Sequence, residues 1–217
     1  WKNGRKKVVG QWTNGDIDGL WTHWWKNGRK KAENRWNTGE VSGLWTHWWK
    51  NGRKKAEYRF LKGKQHGKSQ TWFQNGSLQA ITYTHNDKKI GVWQRWYPNG
   101  QKRALSSWKK NKEHGLFLQW HSNGNKKSEQ SYVDGQKHGI EKTWFRNGRL
   151  RSNQIWSKDT KHGKCTHWYS NGQKKAQGFW REDSPYGLWL TWSKHGKKQS
   201  EGRWENGVKV GKWSRWH

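Results

Sequence analysis

The chain is short of what usually makes a protein core. It has no methionine, one cysteine (Cys165), and only 29% apolar residues among 217. A lone cysteine excludes an internal disulfide and leaves the redox compartment almost unconstrained. No run of 18 apolar residues occurs, so no helix is apolar enough to span a bilayer. Acids are scarce too, 15 Asp+Glu against 45 Lys+Arg, and the formal charge of +30 repels itself unless an anionic partner or solvent ions offset it. The acids are sparse, with Glu182-Asp183 the one adjacent pair, and no obvious catalytic carboxylate arrangement stands out.

What is abundant is tryptophan, with 23 residues, and a repeat organises all of it. The stretch GLWTHWWKNGRKKAE stands at Gly19 to Glu33 and again, unchanged, at Gly43 to Glu57. Looser copies follow every 24 residues without insertion or deletion. Asn-Gly recurs from Asn3 to Asn171, and His195-Gly196 keeps the ninth beat. A second glycine recurs from Gly19 to Gly211. Such a chain is a quasi-linear array in which each copy packs on its neighbours and no central core need form. It is expected to be one array over 1–217. Trp1 and His217 occupy the same column, so we expect a segment of a longer chain or ends that dock, with self-association through them.

One copy reads as two strands. Leu44 to Lys50 is aromatic and β-branched and runs into Asn51-Gly52, a pair that favours a type I′ hairpin turn. The return strand, Arg53 to Phe60, ends near an aromatic column that includes Trp12, Trp36, Phe60 and Trp108, and a second turn follows. That turn column reads Gly15, Gly39, Gly63, Asp87, Asn111, Gly135, Asp159, Asp183 and Gly207, all residues that tolerate positive φ. The expected fold is all-β, an elongated, twisted antiparallel meander or solenoid of about nine hairpins and roughly eighteen strands, about 85 Å long. The second glycine should mark a bulge or the close approach of another group, and an aromatic ring is expected to lie over it.

The tryptophans fall in four columns. Trp24, Trp48, Trp72, Trp96, Trp120, Trp144, Trp168, Trp192 and Trp216 never vary, and beside small residues such as Ala32 and Ala56 they read as the packing ladder. Two other columns drift, one passing through Ser69, Glu141 and Cys165, the other through His121, Ser193 and His217. Columns that accept polar residues should be at least partly solvated, so Trp21, Trp25, Trp45, Trp49, Trp93, Tyr97, Phe117, Phe145, Tyr169 and Trp189 are candidate partner contacts. A bland packing role is expected for Cys165.

With these columns in hand, the pattern Gly-x-Trp-x-x-Trp-aromatic-x-Asn-Gly-x-Lys, a following Glu (Glu33, Glu57, Glu129, Glu201) and a His-Gly at His66, His114, His138 and His162 resemble the MORN repeat in its variant form. The resemblance implies a β-hairpin ribbon with a binding or scaffolding role. It supplies no catalytic residue, and it associates the array with bacterial antitoxin-like proteins and with proteins of large DNA viruses. The excess of Trp over Tyr and the strong basicity depart from the usual pattern.

No cofactor or metal site is expected. Equivalent histidines in successive copies stand about 9.5 Å apart, too far to share one ion, and only a cross-column pair such as His162 and His167 could. No enzymatic centre is expected either, because a repeat gives every position a near-copy. The basic residues after the first turn remain: Arg29, Lys30, Lys31, Arg53, Lys54, Lys55, Lys102, Arg103, Lys126, Lys127, Lys174 and Lys175. A solvated strand end that keeps the ribbon soluble explains them simply. A candidate anion-binding stripe explains them too, for an acidic protein or assembly first, such as a filament or virion, and for nucleic acid or another polyanion second.

Overall fold

The computed structural model describes residues 1–216; the expectations placed on His217 lie outside the described residues. The described chain is all β with antiparallel pairing and no helix. It divides into two units, Trp1–Lys102 with Trp108–Asn111, and Arg103–Ser107 with Lys112 onward. In the first unit β1 (Val8–Thr13) pairs with β2 (Asp16–Trp24), β2 with β3 (Lys30–Asn37), β3 with β4 (Glu40–Trp48), and β4 with β5 (Lys54–Leu61). The second unit repeats this meander strand for strand, as in the pairing of Thr160–Trp168 with Lys174–Arg181.

The second turn has the positive φ expected of its column, and the Asn-Gly turn departs from the type I′ expected of it. The type I′ turn is the second one: Asn14 and Gly15 lie at φ 51° and 87°, and in all nine copies both central residues have positive φ. At the Asn-Gly turn only the glycine does, with Gly52 at φ 89°. The Gly52 amide donates to Trp49 O at 2.9 Å, and the Trp49 amide to Arg53 O at 2.8 Å. This is a three-residue loop, a type I turn followed by a left-handed glycine in a bulge.

Asparagine is therefore required there for its side chain. Asn51 Oδ1 accepts from the Arg53 amide at 3.1 Å, and its Nδ2 donates to Gln74 O at 2.9 Å, one repeat further on. Asn27, Asn75, Asn123, Asn147 and Asn171 make the same bridge. On the other edge Asp87, Asp159 and Asp183 accept an amide of the preceding repeat, from Gln65, Lys137 and Lys161 respectively, at 2.7–2.9 Å. Each turn thus stitches two repeats together and ties their register.

The second glycine does mark a bulge. Gly43 has φ 69°, and between the pairs Glu33↔Thr46 and Arg35↔Ser42 three residues of β4 face the single residue Asn34. No aromatic ring lies over Gly43; the Arg35 chain does, at 3.5 Å from where a Cβ would be. The rings lie instead over Gly10, Gly178 and Gly202, where an added Cβ would overlap the indoles of Trp21, Trp189 and Trp213.

Little is fully buried. Ala32, Ala56 and Cys165 are the buried apolar residues, with Thr22, Thr46, Ser69, Gln130, Gln154 and Thr166 among the buried polar ones. A single sheet layer has two faces and no interior, so small side chains are buried under larger neighbours that stay half open.

Candidate binding surface

Beside each bulge one carbonyl takes a side-chain donor in addition to a backbone one, as Tyr83 O already accepts from the Ile90 amide at 3.1 Å. The indole Nε1 of Trp21 donates to Gln11 O at 3.1 Å, that of Trp93 to Tyr83 O at 2.9 Å, and that of Trp189 to Phe179 O at 3.2 Å. Where the tryptophan is replaced by Glu141 or Cys165, a buried glutamine in the bulge takes over. Gln130 Nε2 donates to Ser131 O at 2.7 Å, and Gln154 Nε2 to Ile155 O at 2.8 Å. The bulge residue is Gly, Asn or Thr beside a Trp, Ser beside Phe117 and Gln beside Glu141 or Cys165, while Tyr58 stands beside Ser69. Size and hydrogen bonding are exchanged between the two positions.

The same rings meet the aromatic column of Trp12. Trp12 and Trp21 lie edge to face at 5.6 Å, Trp180 and Trp189 at 5.3 Å, and Phe117 and Tyr132 at 5.8 Å. Trp180 Nε1 reaches Cys165 Sγ at 3.1 Å, and Trp156 Nε1 reaches Glu141 Oε2 at 2.9 Å. Among the candidate partner contacts, Trp21, Trp45, Trp93, Phe117 and Trp189 are thus half-buried members of a packed row. The expectation of a solvated column fails at Ser69, 3% exposed, and at Cys165, 0% exposed. Burial raises the Cys165 thiol pKa, the hydrogen bond from Trp180 opposing it.

The invariant column has a different setting from the one expected. Ala32 and Ala56 face His23 and His47; the cross-strand partner of Trp24 is Lys30, and that of Trp48 is Lys54. A lysine of the preceding repeat lies over the ring: Lys30 over Trp48 at 5.8 Å, Lys126 over Trp144 at 5.4 Å, Lys198 over Trp216 at 5.3 Å. Lys30, Lys54, Lys126 and Lys198 also bind Glu33, Glu57, Glu129 and Glu201, three residues on. Trp24 to Trp192 are half-buried and Trp216 is 44% exposed, so this face carries half-open indoles, several under a lysine, with Leu78 and Leu150 in the lysine's place in two copies.

The remaining candidates meet at the first-turn edge. Trp25 Nε1 donates to Trp48 O at 3.4 Å, Trp49 Nε1 to Trp72 O at 3.2 Å, and Tyr169 Oη to Trp192 O at 3.0 Å, so each ring is anchored to the next repeat. Lys31 lies over Trp25 at 4.9 Å and Lys55 over Trp49 at 4.7 Å. Arg29 and Arg53 donate to the carbonyls of Asn51 and Asn75, which fixes their guanidinium groups along the edge.

Charge is sorted between the two edges. In the eight columns Trp24–Lys31 and their equivalents stand twenty-four of the 45 Lys+Arg and none of the 15 Asp+Glu. The four residues of each second turn hold eight acids and eight bases in total. One edge is strongly cationic and the other is balanced.

His23, His47 and His167 have pKa values lowered first by burial and then by neighbouring lysines, Lys31, Lys55 and Lys175 respectively. His162 and His167 sit five residues apart on one strand, opposite Ile155 and Ser152. Among the described residues no three His, Cys, Asp or Glu side chains gather as a metal site would require.

Four tandem segments, residues 65–86, 89–110, 113–134 and 161–182, match the family model described as the MORN repeat variant. No curated protein matches the chain.

Proposed function

The chain carries repeats of the MORN variant family, and on that premise we propose that it is a non-enzymatic scaffold whose first-turn edge holds an anionic macromolecular partner. Repeats of this kind generally serve as protein- or membrane-binding scaffolds, and the all-β array is typical of non-enzymatic proteins. The observation that carries the reading is the sorting of charge: twenty-four cations and no acid on one edge, balance on the other. A need for solubility alone would be served by lysines on either edge. Cations concentrated on one side also build a local potential that steers an anionic partner to that side.

The test compares two variants of equal charge. Lys30, Lys31, Lys54 and Lys55 are changed to Gln in one, and Lys62, Lys64, Lys110 and Lys112 in the other. The first should elute from an immobilised heparin column at clearly lower salt than the second. Equal elution would refute a functional edge and leave net charge as the only cause.

A further inference from the structure

The first-turn edge presents rings as well as charge. Grooves open at the same place in several repeats, each between two successive rings of the Trp25 column. The one between Trp1 and Trp25 measures ≈ 420 Å³ and contains Lys31. Another, between Trp49 and Phe73, measures ≈ 380 Å³ and contains Lys55. A third, between Phe145 and Tyr169, measures ≈ 530 Å³ and contains Arg151 and Lys175. No carboxylate lines any of them. His167, in the third, is kept toward its neutral form by burial and the nearby cations, so its ring adds a flat surface with little charge.

The density of charge selects among anions. Each repeat advances by two strand spacings, about 9.5 Å. The edge carries thirteen cations over residues 1–102 and eleven over the remainder, an average of two to three per repeat that runs from four in the first copies to none over 72–79. A strand within the duplex has one phosphate per about 3.4 Å, so a single strand unstacked onto the rings, and therefore more extended, brings at most about 2.8 phosphates per repeat, which two to three cations can match. Duplex DNA, one charge per about 1.7 Å, brings about twice that, and its bases are already stacked on each other. An extended acidic peptide rises about 3.3 Å per residue and turns alternate side chains away, so it offers about 1.4 carboxylates per repeat and nothing flat for the rings.

We propose that this edge binds single-stranded nucleic acid, the phosphates on the Lys and Arg columns and the bases against the Trp25-column rings. This deepens the reading of the edge given above and depends on it.

Affinities of the full chain would be measured by fluorescence anisotropy for a labelled 30-nucleotide oligothymidylate, the corresponding duplex, and polyglutamate of equal charge. The oligothymidylate should bind at least ten-fold tighter than polyglutamate and tighter per phosphate than the duplex. Its log K should fall against log salt with a slope of about −4 or steeper, since six or more phosphates at about 0.7 each are neutralised. Phe145→Leu with Tyr169→Leu should weaken oligothymidylate five-fold or more and leave polyglutamate unchanged. Photo-crosslinking of iodouracil-substituted oligonucleotide to the unaltered chain should label Trp25, Trp49, Phe73, Phe145 or Tyr169, independently of any variant's folding. Equal or tighter binding of polyglutamate, or labelling confined to the second-turn edge, would overturn the nucleic-acid assignment while leaving an anion-binding edge. If none of the three anions binds at low salt, the reading of the edge itself is overturned.

Discussion

The exchange between Gly178 and Trp189 is the sharpest test of how this sheet is held together. Gly178→Gln alone places a side chain where the Trp189 indole lies and should cost about 1–3 kcal/mol as overpacking. Trp189→Cys alone removes a half-buried ring that meets Trp180 edge-on at 5.3 Å and takes the donor from Phe179 O. For a partly buried aromatic plus one lost hydrogen bond, about 2–4 kcal/mol is expected. Independent effects would therefore sum to about 3–7 kcal/mol. The double variant reproduces the natural pair Gln154 and Cys165, in which an amide serves the carbonyl of Ile155 and a sulfur accepts from the indole of Trp180. It should recover at least about 2 kcal/mol, read as the coupling in a double-mutant cycle. A repeat array need not unfold as one body, so the assay is amide hydrogen exchange along Lys174–Arg181 and Ser184–Trp192, alongside urea denaturation. Additive costs in the double variant would refute the idea that the bulge residue and its ring are one exchangeable unit.

Other expectations follow from single contacts. Asn51→Ala loses the bonds to the Arg53 amide and Gln74 O and should destabilise the array by about 1–2 kcal/mol, with exchange protection falling in both adjoining repeats. Thr38, a β-branched residue at φ 43°, sits in a type I′ position, so Thr38→Gly should stabilise the array by up to about 1 kcal/mol, read as a higher urea midpoint. His23, His47 and His167 have lowered pKa values in the fold, so the unfolded chain takes up protons first as pH falls. Their contribution is fully present above the unfolded value of about 6.5 and is lost as pH drops through the lower folded values; His47→Gln with His167→Gln should flatten the decline in melting temperature over that window. Cys165 should resist iodoacetamide in the native chain at neutral pH and react once unfolded, and rapid native labelling would contradict its burial.

The repeat and its period were legible because substitution across nine copies reports which positions are constrained. The second-turn column shows this best: only Gly, Asp and Asn occur there, and all nine have positive φ. The Asn-Gly turn misled for a physical reason. The pair satisfies a type I′ turn, and it equally satisfies a type I turn in which glycine takes the bulge and asparagine is chosen for two hydrogen bonds, one of them reaching the next repeat. Similarly, an unvarying tryptophan reads as core by its constancy, whereas in a one-layer sheet the unvarying ring stays half-open, with a lysine over several copies. The inverse pattern in the Trp21 column, large where the bulge residue is small, was visible in the sequence but had no meaning until the pairing brought positions eleven apart together.

The sequence by itself determined a 24-residue hairpin repeat, the places of its turns, and the separation of a cationic edge from a balanced one. These follow from local backbone chemistry and from counting, both of which a periodic chain displays directly. Tertiary structure alone decided which face each tryptophan occupies, which carbonyl beside each bulge takes a side-chain donor, and which side chain supplies it. Those depend on strand register, where a shift of one residue turns every side chain to the other face, and register is fixed here by bonds between repeats.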